Sequence, residues 1–263
     1  MKSPFRSRVP LLALAGLLSG FLSVTLVSLA VAQDRITFKD NRVQDGKIAG
    51  VSNGNVVINA ATASGGAAQL QFPIAQVAQV QMVVPPTFNS GMTAYQTANW
   101  DRALADLDGV AKQFRGLPTE WARQTSEVIG DIYLEKNDVV KAEASYNEFR
   151  RYYPTAGNSL RISVGLARVA YAKNNAAAAK QQLDVITQAA LKAPASVTRF
   201  DGAAYGQAFY LLAQLQEKEG KFQDALTNYL RTVTLFYQDA GVTAKAKKNA
   251  DGLRASQKGL VAL

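Results

Sequence analysis

The side chains that carry most enzyme and metal chemistry are missing from this sequence, which has no cysteine and no histidine. Their absence removes disulfides, thiol nucleophiles, Cys/His zinc or iron sites, imidazole bases and Ser-His-Asp triads. Acid-base work at neutral pH would fall on carboxylates alone. Asp106 with Asp108 and Glu217 with Glu219 are i, i+2 pairs on expected helices, so they point apart and do not converge on one substrate. No Gly-rich phosphate loop and no nucleophile-elbow serine is present. The chain reads as a non-enzyme with no cofactor and no metal, and the chemistry left to it is recognition.

The elements that would position recognising side chains are helical. In the stretch from Gly130 to Pro154, Gly130, Tyr133, Asn137, Ala142, Tyr146, Phe149 and Pro154 follow one another in one helical hairpin pattern. The first few belong to one helix, Lys136-Asn137-Asp138 to a polar turn, and the rest to a second helix that the proline closes. Gly130 and Ala142 are small where two helices must cross closely, and aromatics fill the space beside them. The pattern recurs. Tyr95, Ala98-Asn99-Trp100, Ala103 and Leu107 precede it; Ala167, Tyr171, Asn174-Asn175, Ala179 and Leu183 follow; Ala213, Gly220-Lys221-Phe222, Ala225 and Tyr229 come last. These signals resemble the tetratricopeptide repeat, a helix-turn-helix module of roughly 34 residues. Here the anchoring alanines Ala103, Ala142, Ala179 and Ala225 stand further apart than that, so the surplus belongs in longer helices or in connections such as Arg115 to Thr119 and Lys192 to Asp201. Four hairpins exceed the three or so that such an array needs to bury a continuous core. Thr243 to Leu260 reads as a capping helix with Ala246, Ala250 and Leu253 on one side and a lysine-rich remainder.

Long repeats ending in YxxFxxxYP are similar to exported tetratricopeptide proteins of bacterial envelopes, such as the Tol-Pal cell-division coordinator and the outer-membrane-assembly lipoprotein. The resemblance implies an α-solenoid that binds a protein or peptide segment on the concave face carried by the first helix of each hairpin. On that register the exposed candidates are Gln124, Glu127 and Asp131; Arg161, Val164, Arg168 and Tyr171; and Gln207, Tyr210, Gln214 and Glu217. The partner-binding set is Arg161, Arg168, Tyr171, Asp131, Tyr210 and Gln214. Arg161 and Arg168 share one helical face, and two guanidiniums near tyrosines suit a carboxylate beside an apolar neighbour. The other use for both arginines is solvation, or pairing with Glu127 and Asp131 across the hairpins.

Lys2, Arg6 and Arg8 precede an apolar run that closes on Ala30-Val31-Ala32, the charge, core and small-residue order of a secretory signal. The run is long enough to span a bilayer if uncut. Either way the rest of the chain is expected to be exported, periplasmic or envelope-associated in a bacterium, and no cysteine follows to make it a lipoprotein. Losing those three cations lowers the formal net charge from +9 to +6. A basic exported protein leaves a glycan- or cell-wall-binding role as the alternative, and export disfavours nucleic acid. From Asp34 to Met82 the period changes to two, with Ile36/Phe38, Val56/Ile58, Leu70/Phe72/Ile74 and Val77/Val80/Met82 separated by Asp40-Asn41, Asn53-Gly54 and Ser64-Gly65-Gly66. Gly46 serves as another turn or as a bend within a strand. This order resembles a small Sm-like or SH3-like barrel. It is short enough to need packing or self-association, and Phe38 and Phe72 read as core and not as an RNA-stacking platform. The expected organisation is a signal or uncleaved anchor at 1–32, a β unit at 33–84, a Pro-rich connector at 85–88, helical repeats at 89–242 and a cap at 243–263.

Overall fold

The computed structural model describes residues 33–62, 65–157, 159–192 and 199–261. The expected leader lies outside these residues, as do Ser64 of the third β turn and most of the Lys192–Asp201 connection. Asp34–Phe38 (β1), Val43–Ser52 (β2), Asn55–Ala61 (β3), Ala67–Pro73 (β4) and Val77–Gln81 (β5) form an antiparallel sheet in the order β4-β3-β2-β1-β5. Asn53 and Gly54 both have positive φ, 50° and 77°, the geometry that lets a two-residue turn follow the twist of its strands. Gly46 stands opposite Asp34 inside β2 and is a strand residue, not a turn. One face carries Ile36, Phe38, Ile48, Val56 and Ile58, all buried.

The helical part comprises Pro86–Gln96 (α1), Trp100–Phe114 (α2), Glu120–Glu135 (α3), Val139–Tyr152 (α4), Leu160–Ala172 (α5), Ala176–Lys192 (α6), Arg199–Lys218 (α7), Phe222–Thr234 (α8) and Ala240–Ser256 (α9). The pairs α1/α2, α3/α4, α5/α6 and α7/α8 are hairpins, and α9 packs on α8. The fold is thus a helix-turn-helix array of tetratricopeptide type behind a small antiparallel sheet. Helix α1 begins at Pro86, within the stretch read as connector, because proline at the first helical position gives up an amide that would have no partner.

One device closes all four hairpins. Ala98, Asn137, Asn174 and Gly220 each adopt left-handed φ, between 57° and 74°. The amide of the next residue, Asn99, Asp138, Asn175 or Lys221, then donates to a carbonyl five residues back, at 2.8 to 2.9 Å. Three of those next residues also start the second helix, since the Asn99, Asp138 and Asn175 side chains accept from the amides of Arg102, Lys141 and Ala178. Seven residues before each left-handed residue stands a small one, Gly91, Gly130, Ala167 or Ala213. A Cβ on Gly130 would lie 2.4 Å from the Tyr146 ring, and one on Gly165 would meet the same ring at 2.4 Å. Tyr146 is fully buried between the two glycines, and the four anchoring alanines are fully buried as well.

The sheet does not stand alone. Val110 and Phe114 of α2, Leu117 in the following turn, and Trp121 and Ala122 of α3 share one buried cluster with Ile36, Phe38, Ile48 and Val77. Phe114 and Trp121 meet edge-on at 5.1 Å, with Phe88 of α1 beside Trp121 at 6.2 Å. The Gln113 side chain donates to the Ala49 carbonyl at 2.7 Å, and a Cβ on Gly50 would lie 2.6 Å from the Gln113 carbonyl oxygen. The packing that so small a sheet requires is supplied by the first helices of the array.

Candidate functional site

The helical face formed by α1, α3, α5, α7 and α9 carries two neighbouring hollows of about 600 and 610 Å³, within the size range of ligand sites. Both touch Tyr95, Asp131 and Gln207. Between them stands a polar cluster built from three hairpins. The Tyr95 hydroxyl donates to Asp131 Oδ2 at 3.1 Å, Tyr146 donates to Oδ1 at 2.5 Å, and Arg161 Nε donates to Oδ2 at 2.8 Å. A second Arg161 nitrogen donates to the Tyr95 oxygen at 2.7 Å. Asp131 is thereby ionically paired and satisfied although it is buried. Burial works against the Arg161 cation, but the attraction of Asp131, Tyr95 and Glu127 outweighs it and holds the guanidinium above its ordinary pKa. Burial first, and then the charge of Asp131, pushes the Tyr95 and Tyr146 hydroxyls well above the usual tyrosine value.

All six residues singled out from the sequence lie on this face. Asp131, Arg168, Tyr171, Tyr210 and Gln214 line the first hollow, and Arg161 with Asp131 lines the second. Their pairing narrows what they can do. Arg161 is committed to Asp131, while Arg168 donates to Glu135 at 2.6 Å. Both guanidiniums therefore have carboxylate partners in their own chain, with Glu135 in place of Glu127 as the second acid. Glu127 is buried and receives Arg123 at 2.5 Å; burial raises its carboxyl above the usual range despite that cation. The Gln214 amide donates to the Tyr210 hydroxyl at 3.1 Å, and the Tyr210 ring packs against Tyr229 at 5.7 Å.

The sequence register missed several members of the first hollow. Trp100 begins α2 and reaches the face from the hairpin turn, in edge contact with Tyr95 at 5.8 Å. Val242 and Lys245 enter from α9. Lys218 stands over the Tyr171 ring at 4.4 Å, a distance at which a cation and an aromatic face attract. Tyr95 itself was visible as a hairpin position, although nothing in the spacing marked its hydroxyl as the bridge between Asp131 and Arg161.

No group of histidine, cysteine or carboxylate side chains suited to a metal ion occurs among the described residues. No family model matches the chain, and no curated protein does. Among solved structures, yeast Tom70 is similar over 65% of this chain at 16% identity with a TM-score of 0.42. The likeness covers 40% of the Tom70 chain, so this protein spans well under half of that length.

Proposed function

We propose that this chain is a non-enzymatic, exported scaffold that holds a protein or peptide segment against the first-helix face of its repeats, in the organisation or assembly of a bacterial cell envelope. The observation that carries the reading is the ring-lined hollow across α1, α3, α5, α7 and α9. Repeat arrays use such surfaces because each hairpin adds side chains to one extended face while the packing positions stay fixed. Export is proposed from the basic, apolar and small-residue order of residues 1–32. A leader of that order would send the scaffold to the periplasm or the envelope, tethered if it is not cleaved.

Self-association through the β unit belongs to the same proposal. Strands β4 and β5 are the outer strands of the sheet, and the sequence carries no charged residue from Ile48 to Trp100. Sheet edges are ordinarily guarded by charge or by a covering element, because unpaired strand backbone templates another strand. Sedimentation of the full chain against a Gln71→Lys, Gln79→Lys variant reads this directly: association in the parent alone is expected, and a monomeric parent removes it from the proposal.

The scaffold itself is tested with a photoreactive benzoylphenylalanine placed in the full chain at Gln214, in the hollow, or at Val185, which is exposed on α6. A discrete protein adduct from Gln214 and none from Val185 is expected in the exporting cell. No adduct from Gln214, or the same adducts from both positions, overturns the reading.

A further inference from the structure

Charge is unevenly committed in the hollow beside the Tyr95–Asp131–Arg161 cluster. Each acid near it already has donors. Asp131 receives Tyr95, Tyr146 and Arg161, and Glu135 receives Arg168. Asp239 caps α9 through the Val242 amide at 3.0 Å and also accepts from Gln207 at 3.2 Å. Glu217 accepts from Tyr229 at 2.7 Å. Asp239 and Glu217 receive neutral donors only and keep their charge, and two cations likewise stand without an opposite charge. Lys245 on the wall and Lys218 over Tyr171 are exposed and have no carboxylate partner among the described residues. Beside these polar groups the hollow presents half-buried Tyr95, Trp100, Tyr171 and Tyr210 rings and the side chains of Leu134 and Val242.

We infer that this hollow takes a polypeptide segment in which an aromatic or large aliphatic side chain is neighboured by an aspartate or glutamate. The inference rests on the scaffold reading above and specifies its ligand. The apolar side chain would be covered by the rings, whose flat faces bury much area with few freedoms to lose. The neighbouring carboxylate would meet Lys245 on the wall or Lys218 over Tyr171, the two cations without a carboxylate partner, at the edge of a partly enclosed surface where charge attraction exceeds its value in open water. A basic segment would meet like charge at the two exposed lysines and, at Asp239 and Glu217, acids that are half-buried and already hydrogen-bonded. A neutral glycan would stack on the rings and leave both lysines unpartnered. A polyanion without apolar groups would use the lysines and none of the ring surface.

Selection of random phage-displayed peptides on the full chain tests this. Enriched peptides are expected to share an aromatic or large aliphatic residue beside an acid. Their affinity, read by fluorescence anisotropy, is expected to fall about tenfold in Lys218→Glu, Lys245→Glu and to survive in Lys218→Arg, Lys245→Arg. Both lysines are exposed, so neither variant disturbs the core. Enriched peptides without an acid, or an affinity that charge reversal leaves unchanged, overturn the inference and leave the scaffold standing. Failure to enrich any peptide, together with no adduct from Gln214, overturns both.

Discussion

The junctions between hairpins and the junction between the sheet and the array make opposite use of charge. The first three hairpins are bridged to one another by ion pairs as well as apolar contacts: Asp101 with Lys136, Arg115 with Glu148, Asp131 with Arg161, Glu135 with Arg168, and Glu143 with Lys173. The sheet meets α2 and α3 through Phe114, Leu117 and Trp121, one side-chain hydrogen bond and a close approach at Gly50. Exposed ion pairs contribute little energy, so apart from the pair on buried Asp131 these set which hairpin face meets which. The sheet interface must instead draw on buried area and shape. That makes it the more sensitive to truncation of a single apolar side chain.

The largest effect is accordingly expected at the sheet junction. Phe114→Ala empties the centre of the shared cluster and should cost about 3–5 kcal/mol, read as a shift in denaturant midpoint. Because the cluster spans both parts, the parent should unfold in one transition and the variant in two, with the sheet lost first. A single transition of unchanged midpoint in the variant would mean that the shared core does not couple them. Charge reversal of exposed Lys136 or Lys173, by contrast, should move the midpoint by less than about 1 kcal/mol.

Next comes a pair of glycines with the same helical backbone and opposite surroundings. Alanine in a helix interior is intrinsically better than glycine by about 0.5–1 kcal/mol. At exposed Gly109, where a Cβ meets nothing within 4 Å, that gain should appear undiminished. At Gly130 the Cβ would press on the Tyr146 ring at 2.4 Å, and overpacking of about 1–3 kcal/mol should reverse the sign. Gly130→Ala that stabilises would show that Tyr146 can move, and would remove the basis for reading the small-residue position as a packing requirement.

The hairpins were legible because their turn geometry depends on one residue each. Asn137, Asn174 and Gly220 tolerate left-handed φ, and the alanines after them fit only a close helix crossing. The face that binds the sheet was not legible. Nothing in the sequence sets Phe114 or Trp121 apart from hairpin core, and Leu117 falls in the stretch read as a connection, since an apolar side chain does not say which neighbour covers it. Two local signals pointed there: Gly50 within a strand pattern, and an uncharged run crossing from the sheet into α1 and the first turn. In the candidate site, register placed the first-helix residues, and it could not place Lys218, Val242 or Lys245, whose approach depends on how α7 and α9 follow the array. Arg161 and Arg168 were found on the right face, but their partners depended on interhelix distances that spacing does not contain.

A smaller effect separates the two regions by pH. All the tyrosines lie in the array and none in the sheet. Tyr95, Tyr146 and Tyr229 have pKa values raised by burial, with Asp131 or Glu217 adding to it. In the unfolded chain they ionise near pH 10, so the folded state holds their protons more tightly. Their contribution is therefore complete below about pH 10 and is lost as pH rises towards the folded values, at up to about 1.4 kcal/mol per pH unit for each. Tyr146→Phe should flatten the alkaline slope of stability, and an unaltered slope would place the titration elsewhere.

The smallest effect is expected at Ala98, the one turn residue whose type opposes its geometry. It holds φ of 57° in the position that Asn137, Asn174 and Gly220 fill in the other hairpins. A Cβ in the left-handed region costs about 1–2 kcal/mol, whereas glycine's extra freedom in the unfolded chain costs about 0.4–1 kcal/mol. The difference favours Ala98→Gly by about 0–1.6 kcal/mol. The strain sits beside Trp100, whose ring lines the hollow with Tyr95, so the substitution also asks whether the first turn is held tense to present that ring. Greater stability with unchanged peptide affinity would make Ala98 an unoptimised turn residue. Greater stability with weaker peptide binding would make the strain part of the site.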